Sequence, residues 1–289
     1  MFQDLSLNHR ELYQRYTRHM RTTEGSFASM FAWRHSNRLR IFESGGILYR
    51  HSVLGYPCYL YPLGATEETL PRALETLRGI EEGRLIFRLL SPEQKDLLEA
   101  AGGFDIEEDR DQADYLYAAE DLRELAGRSY HGKRNFIARF ERERPGWSYE
   151  EVGDGNIVEV MAFQDAWVTL NGGPPSGLAA EKTAIAEMLM NWDLLGMMGG
   201  AIRAEGNIVA YTLGALVGDD TLDVHIEKAN YEITGAYPMI NREFARRHAV
   251  GDIKFINREE DMGIEGLRRA KLSYNPIELM MKYTARERV

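Results

Sequence analysis

The 289-residue sequence contains a single cysteine, Cys58. One thiol cannot form an internal disulfide, and it cannot supply the paired thiolates of a cysteine-rich zinc site. The sequence therefore predicts a protein of a reducing compartment, and we expect a cytoplasmic location.

Long apolar runs are also missing. The first 20 residues are polar and follow a helical pattern, without the apolar centre of a secretory signal. The most apolar stretch, residues 184–202, is interrupted by Glu187, Asn191 and Asp193, which favours a buried helix that leads into a strand. We therefore expect no transmembrane segment.

Positive charge is in deficit, since 35 lysines and arginines stand against 45 aspartates and glutamates, for a net charge of −10. This balance argues against binding of duplex DNA through many phosphates. A basic helix predicted over residues 130–144 is the exception, and Phe136, Ile137 and Phe140 form an apolar stripe on it. The helix is either a linker docked by that stripe or a surface for a polyanion such as tRNA.

Hydrophobic periodicity predicts the same order of elements in both halves of the chain: two helices, three strands, then helix, strand, helix and strand. Hairpin turns are predicted at 44–46 and 205–207. The strands at 104–108 and 113–117 are expected to form a pair, and a last strand is expected at 277–283. This order is typical of a duplicated α/β fold with mixed sheets. We expect domains at 1–126 and 147–289, joined by the basic helix within 127–146.

Two short motifs do not extend to complete sites. Residues 127–133 fit G-x-x-x-x-G-K, but Arg134 stands where a phosphate-binding loop needs serine or threonine for Mg²⁺. His225 and Glu227 match the H-x-E of zinc deaminases, whose paired cysteines are missing here. We predict neither a nucleotide site of that kind nor a metal site.

Polar residues concentrate at the carboxyl ends of two predicted C-terminal strands and on the helix that follows, where α/β sheets place their sites. Alternation along the strand puts His225 and Glu227 on one face, so Glu227 is a candidate general base beside His225. The alternative for Glu227 is a surface carboxylate paired with Lys228.

Residues 259–261 form a run of three carboxylates that either binds an ammonium group or makes a solvated turn. Arg268 and Lys271 either meet a phosphate or ester carbonyl or, for Arg268, pair with Glu265 along the helix. Tyr274 either protonates a leaving group or packs at the helix end.

Five segments make the chain recognisable: DYLY at 114–117, YHGKRN at 130–135, HIEKA at 225–229, INREEDMG at 256–263 and GLRRAKLSYNP at 266–276. They resemble the bacterial family built around the C-terminal domain of phosphatidylglycerol lysyltransferase. The resemblance covers nearly the whole chain. It implies two tandem acyl-CoA N-acyltransferase (GNAT-like) domains, similar in layout to the Fem-type peptidyltransferases.

The resemblance also implies transfer of an aminoacyl group from charged tRNA, or of an acyl group from a thioester, to an amine or hydroxyl. The acceptor would be a small molecule, a peptide or a lipid headgroup. Donors of the CoA type bind a loop like Arg/Gln-x-x-Gly-x-Gly/Ala, which corresponds to residues 232–237 here. Gly235 and Ala236 would bind the donor, but Glu232 and Tyr237 depart from the pattern. This departure favours aminoacyl-tRNA, read by the basic helix.

We expect the second half to be catalytic and the first to shape the acceptor cleft. The expected catalytic roles are deprotonation of the acceptor by Glu227, orientation or protonation around the carbonyl by Asn257 and Tyr274, and charge compensation by Arg268 and Lys271. The expected substrate-binding residues are His225, Lys228, Asn241, Glu259, Glu260, Asp261, Lys133, Arg134 and Asn135. Two alternatives remain open at this point: a CoA-dependent N-acetyltransferase of a small amine, and a non-catalytic module that binds tRNA or another polyanion.

Overall fold

Two mixed sheets of seven strands each carry the fold in the computed structural model, which describes residues 1–80, 83–170 and 176–288. The strands are β1 (Gln3–Asp4), β2 (Arg40–Ser44), β3 (Ile47–Val53), β4 (Pro57–Leu63), β5 (Ile86–Leu90), β6 (Phe104–Glu108), β7 (Asp114–Ala118), β8 (Ser148–Glu151), β9 (Met197–Ala204), β10 (Asn207–Val217), β11 (Thr221–Ala229), β12 (Phe255–Asn257), β13 (Glu278–Met280) and β14 (Tyr283–Glu287). The α-helices are α1 (Arg10–Thr17), α2 (Phe27–Ala32), α3 (Leu70–Arg78), α4 (Pro92–Ala101), α5 (Ala119–Glu124), α6 (His131–Glu143), α7 (Ile157–Leu170), α8 (Ser176–Met190), α9 (Trp192–Leu195), α10 (Ala236–His248) and α11 (Glu265–Leu272).

The two sheets repeat one topology. The first runs β1-β2-β3-β4-β5-β14-β6 and the second runs β8-β9-β10-β11-β12-β7-β13. In each sheet the fourth and fifth strands are parallel, and the other neighbouring strands are antiparallel. The duplicated element order expected from periodicity is therefore confirmed, and so is the α/β class with mixed sheets.

Each sheet takes its sixth strand from the other half of the chain. Strand β14 lies between β5 and β6, and β7 lies between β12 and β13. The expected pairing of the strands at 104–108 and 113–117 is therefore wrong. Strand β7 is buried at four successive residues, as suits a central strand, whereas β6 is mostly exposed and lies at an edge. The single strand expected at 277–283 is instead two short strands, β13 and β14, in different sheets.

Local sequence signals fix several of these elements. The side chain of Ser91 accepts a hydrogen bond from the backbone amide of Gln94, and the Gln94 side chain accepts one from the backbone amide of Ser91, so a capping box starts α4. The predicted hairpin turns are confirmed, because residues 45–46 and 205–206 join antiparallel strands with positive φ. The apolar stretch at 184–202 forms the end of α8, the short α9 and most of β9, as expected.

The two halves share one hydrophobic core. Tyr13, Phe27 and Leu48 from the first half pack in the same buried cluster as Ile185 and Tyr211 from the second. A second cluster lies under α6 and α10 on the second sheet, and a third under α3 and α4 on the first. Among the described helices, none combines the length and the apolar character needed to cross a membrane.

Candidate functional site at the opening between β11 and β12

Strand β11 pairs with the short strand β12 only over its first three residues. The parallel register joins Thr221 to Phe255 and Asp223 to Asn257, after which β11 continues to Ala229. Strand β12 ends at Asn257. The chain then turns away at Glu259, which has a positive φ of 56°. We call the space between residues 225–228 and 258–260 the β11–β12 opening.

A β-bulge at His225 sets the direction of the side chains in this opening. Leu213 of β10 pairs with Ile226 and Gly214 with Val224, so His225 has no partner in that ladder. A Cβ on Gly214 would lie 2.5 Å from the carbonyl oxygen of Asp223, so the bulge needs glycine there. As a result Val224 packs in the α10 core, whereas Ile226 packs in the core shared by the two halves.

The bulge makes the expected alternation wrong, because His225 and Glu227 turn to different partners. Glu227 accepts a hydrogen bond from Asn241 of α10 at 3.0 Å and pairs with Arg258 at 2.7 Å. Lys228 does not pair with Glu227. It lies 4.1 Å from the centre of the Trp167 ring and pairs with Glu181 of α8 at 2.9 Å.

Arg258 brings a buried polar group with spare hydrogen-bonding capacity into the opening. Its side chain is 9% exposed, and its Cζ lies 4.7 Å from the centre of the Tyr274 ring. Within the described part of the chain, Arg258 Nη1 and Asn241 Oδ1 are buried without a hydrogen-bond partner. A buried donor and a buried acceptor that lack partners are costly in a folded protein, so they mark a place where a polar ligand fits.

Lys133 of α6 reaches the same tyrosine. Its Nζ lies 3.8 Å from the centre of the Tyr274 ring and donates to Ser273 Oγ at 2.6 Å. Burial, and then the charge of Arg258, lowers the pKa of Lys133 to about 8. Burial also raises the pKa of Tyr274, and its backbone carbonyl accepts from the hydroxyl of Tyr130 at 2.8 Å. Tyr274 is thus a packed aromatic that also lines the opening.

Asn257 and Lys271 hold the loop after β12 in place. Asn257 donates to the carbonyl of Arg21 at 2.9 Å and accepts from the amide of Glu259 at 2.7 Å. Lys271 donates to the carbonyl of Arg258 at 2.5 Å, to that of Glu259 at 3.1 Å and to that of Glu260. The polar groups of both side chains are therefore engaged in hydrogen bonds to the backbone.

Arg268 forms a two-pronged ion pair with Asp261, with Nε to Oδ2 and Nη2 to Oδ1 both at 2.9 Å, and also contacts Asp111 at 2.6 Å. It does not pair with Glu265, which contacts Arg269. Burial raises the pKa of Asp261, but hydrogen bonds from Arg268 and Tyr115 outweigh burial and hold that pKa below its usual range.

The three adjacent carboxylates do not act as one group. Asp261 lies in the arginine pair, whereas Glu259 Oε1 lies 2.9 Å from His225 Nδ1. Burial raises the pKa of Glu259 to about 8, and burial with the nearby Glu259 raises that of Glu260 to about 7. Of the two alternatives left open for this run, a solvated turn does not fit the burial of these carboxylates.

Sequence reasoning missed a set of buried charges behind the opening. Asp223 is fully buried, and Lys282 pairs with Asp114 at 3.2 Å and with Glu24. The available signal was a charged residue inside an otherwise apolar strand, as at Asp114 in DYLY and Asp223 in LDVH.

The loop expected to hold a donor is packed against α6. Gly235 has φ +88°, and a Cβ on it would lie 2.2 Å from the carbonyl oxygen of Phe136. The amide of Ala236 donates to the carbonyl of Ile233 at 3.1 Å, and Pro238 has no amide hydrogen. Among the first three residues of α10, only Tyr237 therefore has a backbone amide that could bind a phosphate. A site that binds a pyrophosphate uses several backbone amides.

Helix α6 forms as expected, but much of its polarity is used within the protein. Arg134 donates to the carbonyls of Leu125 and Gly127, the latter at 2.7 Å, which holds the end of α5. Asn135 contacts the His131 ring, and Arg139 pairs with Glu143. In the predicted apolar stripe Ile137 and Phe140 are buried, whereas Phe136 is half exposed.

Comparison with known proteins adds a family and a fold. The family described as phosphatidylglycerol lysyltransferase, C-terminal, matches residues 16–286. A conserved protein of unknown function from Bacteroides thetaiotaomicron is 32% identical, with 99% of both chains covered and a TM-score of 0.92. Among curated proteins no sequence matches this chain.

Two more distant structures share the fold. L-PGS from Bacillus licheniformis is 16% identical, with 99% of this chain and 93% of that chain covered and a TM-score of 0.66. FemX is 9% identical, with 98% and 96% covered and a TM-score of 0.62. The predicted tandem GNAT-like fold is thus confirmed. The family match covers more than nine-tenths of this chain. The chain therefore belongs to the family of the phosphatidylglycerol lysyltransferase C-terminal domain.

Proposed function

We propose that the protein transfers an aminoacyl group from an aminoacyl-tRNA ester to an amine or hydroxyl acceptor in the β11–β12 opening. The observation that carries the proposal is the buried guanidinium of Arg258. Of its two terminal nitrogens, Nη2 pairs with Glu227, and Nη1 lacks a hydrogen-bond partner among the described residues.

Arg258 suits the stabilisation of charge on a carbonyl oxygen. When an amine or hydroxyl attacks an ester, negative charge develops on that oxygen, and a donor already fixed in a buried site stabilises it without reorganisation. Glu227 holds the guanidinium on one side, at 2.7 Å from Arg258 Nη2, and Asn241 holds Glu227 by a hydrogen bond of 3.0 Å. The free Nη1 is the donor we assign to the developing oxyanion.

Lys133 is the group we assign to proton transfer. The attacking amine or hydroxyl loses a proton as it bonds to the carbonyl carbon, and the ribose oxygen of the tRNA gains one as the ester bond breaks. A group that takes the first proton and supplies the second is most effective when its pKa lies near the working pH. The pKa of Lys133 is lowered to about 8, and its Nζ lies beside the Tyr274 ring that Arg258 also contacts. In this proposal Glu227, the base expected from sequence, acts as a positioning residue for Arg258.

The start of α10 supports an ester donor over CoA. Because Gly235 accommodates the Phe136 carbonyl and the Ala236 amide is used by Ile233, few amides remain for a pyrophosphate. The family description, a lysyltransferase, supports an aminoacyl group as the cargo. The exposed side of α6, with Arg142, is where we propose that tRNA approaches.

We assign catalysis to the second half, residues 147–289, with Lys133 supplied by the linking helix. The first half would shape the acceptor side, since Ser26 reaches the His225 ring at 3.5 Å. The single, buried Cys58 supports a reducing compartment, and we propose the cytoplasm.

The test uses radiolabelled aminoacyl-tRNA pools and radiolabelled acetyl-CoA as donors. The acceptors are phosphatidylglycerol vesicles, a mixture of small amines and a pentapeptide. We expect transfer from aminoacyl-tRNA. Arg258→Gln should lower the rate by about 10²–10³-fold, as for loss of an oxyanion donor, and Arg258→Lys should restore part of it.

The matched control is Arg269→Gln, because Arg269 is an exposed arginine on α11 outside the opening. It should retain the wild-type rate, and circular dichroism should show every variant folded. Transfer from acetyl-CoA alone, binding of tRNA without turnover, or an Arg258→Gln rate within threefold of wild type would each contradict the proposal.

A further inference from the structure

Three atoms able to bind a metal meet behind the β11–β12 opening. His225 Nδ1 lies 2.9 Å from Glu259 Oε1 and 3.6 Å from Asp223 Oδ2, and the three ligand atoms all lie within 4.8 Å of one another. The side chains of His225 and Asp223 are fully buried, and that of Glu259 is 16% exposed.

No side-chain cation neutralises Asp223 within the described ranges 1–80, 83–170 and 176–288. Both of its carboxylate oxygens are buried without a hydrogen-bond partner. The two nearby lysines are already engaged: Lys271 with three backbone carbonyls, and Lys282 with Glu24 and Asp114. Burial of an unpaired carboxylate is costly, so either a cation or a proton must neutralise Asp223.

The histidine is oriented as a metal ligand. Its Nε2 lies 3.5 Å from Ser26 Oγ, so a proton on Nε2 leaves the Nδ1 lone pair directed at the two carboxylates. Three lone-pair donors facing one point repel one another unless a cation lies between them. Tetrahedral ligands at about 2.0–2.2 Å from a divalent ion lie about 3.3–3.6 Å apart, which compares with 2.9 and 3.6 Å here.

We propose that Asp223, His225 and Glu259 bind one divalent transition-metal ion of the Zn²⁺ or Mn²⁺ class. One imidazole nitrogen with two carboxylate oxygens is a ligand set that these ions accept. The ion would tie the bulged strand β11 to the loop after β12. The inference does not depend on the proposed transfer reaction, and it replaces the sequence-based expectation of no metal site.

The test is metal stoichiometry. The full chain is stripped with EDTA, loaded with ZnSO₄ or MnCl₂, freed of unbound metal by gel filtration and analysed by mass spectrometry of the metal. We expect about one ion per chain and a melting temperature several degrees above that of the stripped protein. Asp223→Asn and Glu259→Gln should each abolish retention of the ion.

Two variants serve as matched controls, Glu260→Gln, a neighbouring buried carboxylate, and His248→Gln, a histidine paired with Glu151 at 3.1 Å. Both should retain the ion. If a ligand variant fails to fold, Co²⁺ loaded into the wild-type chain gives the answer, because protein ligands produce visible absorption unlike that of the hydrated ion. Loss of the ion in a control variant would overturn the assignment.

The competing state is a proton shared between Asp223 and Glu259. It predicts less than about a tenth of an ion per wild-type chain, no change in melting temperature with metal, and a folded Asp223→Asn variant at least as stable as the wild type. That set of results, or full retention of metal by folded Asp223→Asn, would overturn the proposal.

Discussion

Replacement of Lys282 by methionine tests the buried charges that join the two sheets. Lys282 lies between β13 and β14 with 1% of its side chain exposed, and its Nζ contacts Glu24 and Asp114. Asp114 belongs to β7 of the second sheet, so this lysine links segments of both halves. Methionine has a similar length and no charge, and it leaves the two carboxylates buried without their cation.

The expected loss follows from the burial of both partners. Breaking a buried ion pair from one side costs about 3–5 kcal/mol of unfolding free energy, because an uncompensated charge remains inside. For a chain of this size that corresponds to a fall in melting temperature of roughly 5–15 °C. The same substitution at Lys182, whose side chain is 50% exposed in its pair with Asp165, should cost less than about 1 kcal/mol.

The assay is urea denaturation followed by circular dichroism at several pH values. Burial lowers the pKa of Lys282, but Asp114 and Glu24 outweigh burial and raise that pKa above its usual value. The stabilisation is therefore complete below the ordinary lysine pKa of about 10.4 and is lost as the pH rises through the higher folded value.

A loss below about 1 kcal/mol at pH 7, or equal losses at positions 282 and 182, would refute the reasoning. Partial recovery of stability in the double variant Lys282→Met/Glu24→Gln is a further expected result, because it removes one of the two stranded carboxylates.

Two other predictions concern Lys133 and Gly235. Because the pKa of folded Lys133 is lowered to about 8, the unfolded chain binds its proton more tightly, and unfolding free energy should rise between pH 8 and about 10.5 in the wild type. Urea titrations at several pH values should show a smaller rise in unfolding free energy for Lys133→Met than for the wild type. Equal rises in the two proteins would contradict the prediction. Gly235→Ala should destabilise the protein by more than about 1 kcal/mol through its positive φ and its clash with the Phe136 carbonyl. Gly132→Ala, with nothing within 4 Å of its Cβ, should instead stabilise α6 by up to about 1 kcal/mol, as thermal melts can test.

The sequence was sufficient for the parts of the fold that local patterns determine. Periodicity predicted the repeated element order, and Ser91 with Pro92 predicted the start of α4. It was insufficient for pairing between distant strands. The places of β7 and β14 depend on contacts between residues more than about 130 positions apart along the chain, for which alternation of side chains carries no information.

The candidate site shows the same division. The runs at 225–228 and 257–261 were correctly placed at neighbouring strand ends. The partners of His225 and Glu227 were not predicted correctly. A bulge opposite Gly214 changes the face of the sheet to which these side chains point, and the position of a bulge depends on the neighbouring strand. Arg258 lay within a noted run but had no assigned role, since its spare nitrogen is visible only once its burial is known.

The exchange of sixth strands has a consequence for the order of folding during synthesis. The first sheet lacks the strand between β5 and β6 until residues 283–287 leave the ribosome, although β1 to β6 are made within the first 108 residues. Until then β5 and β6 present open edges, which are sites for wrong pairing. The amino-terminal half therefore completes its sheet last, and a nascent chain stalled before residue 283 should remain more sensitive to proteases than the released protein.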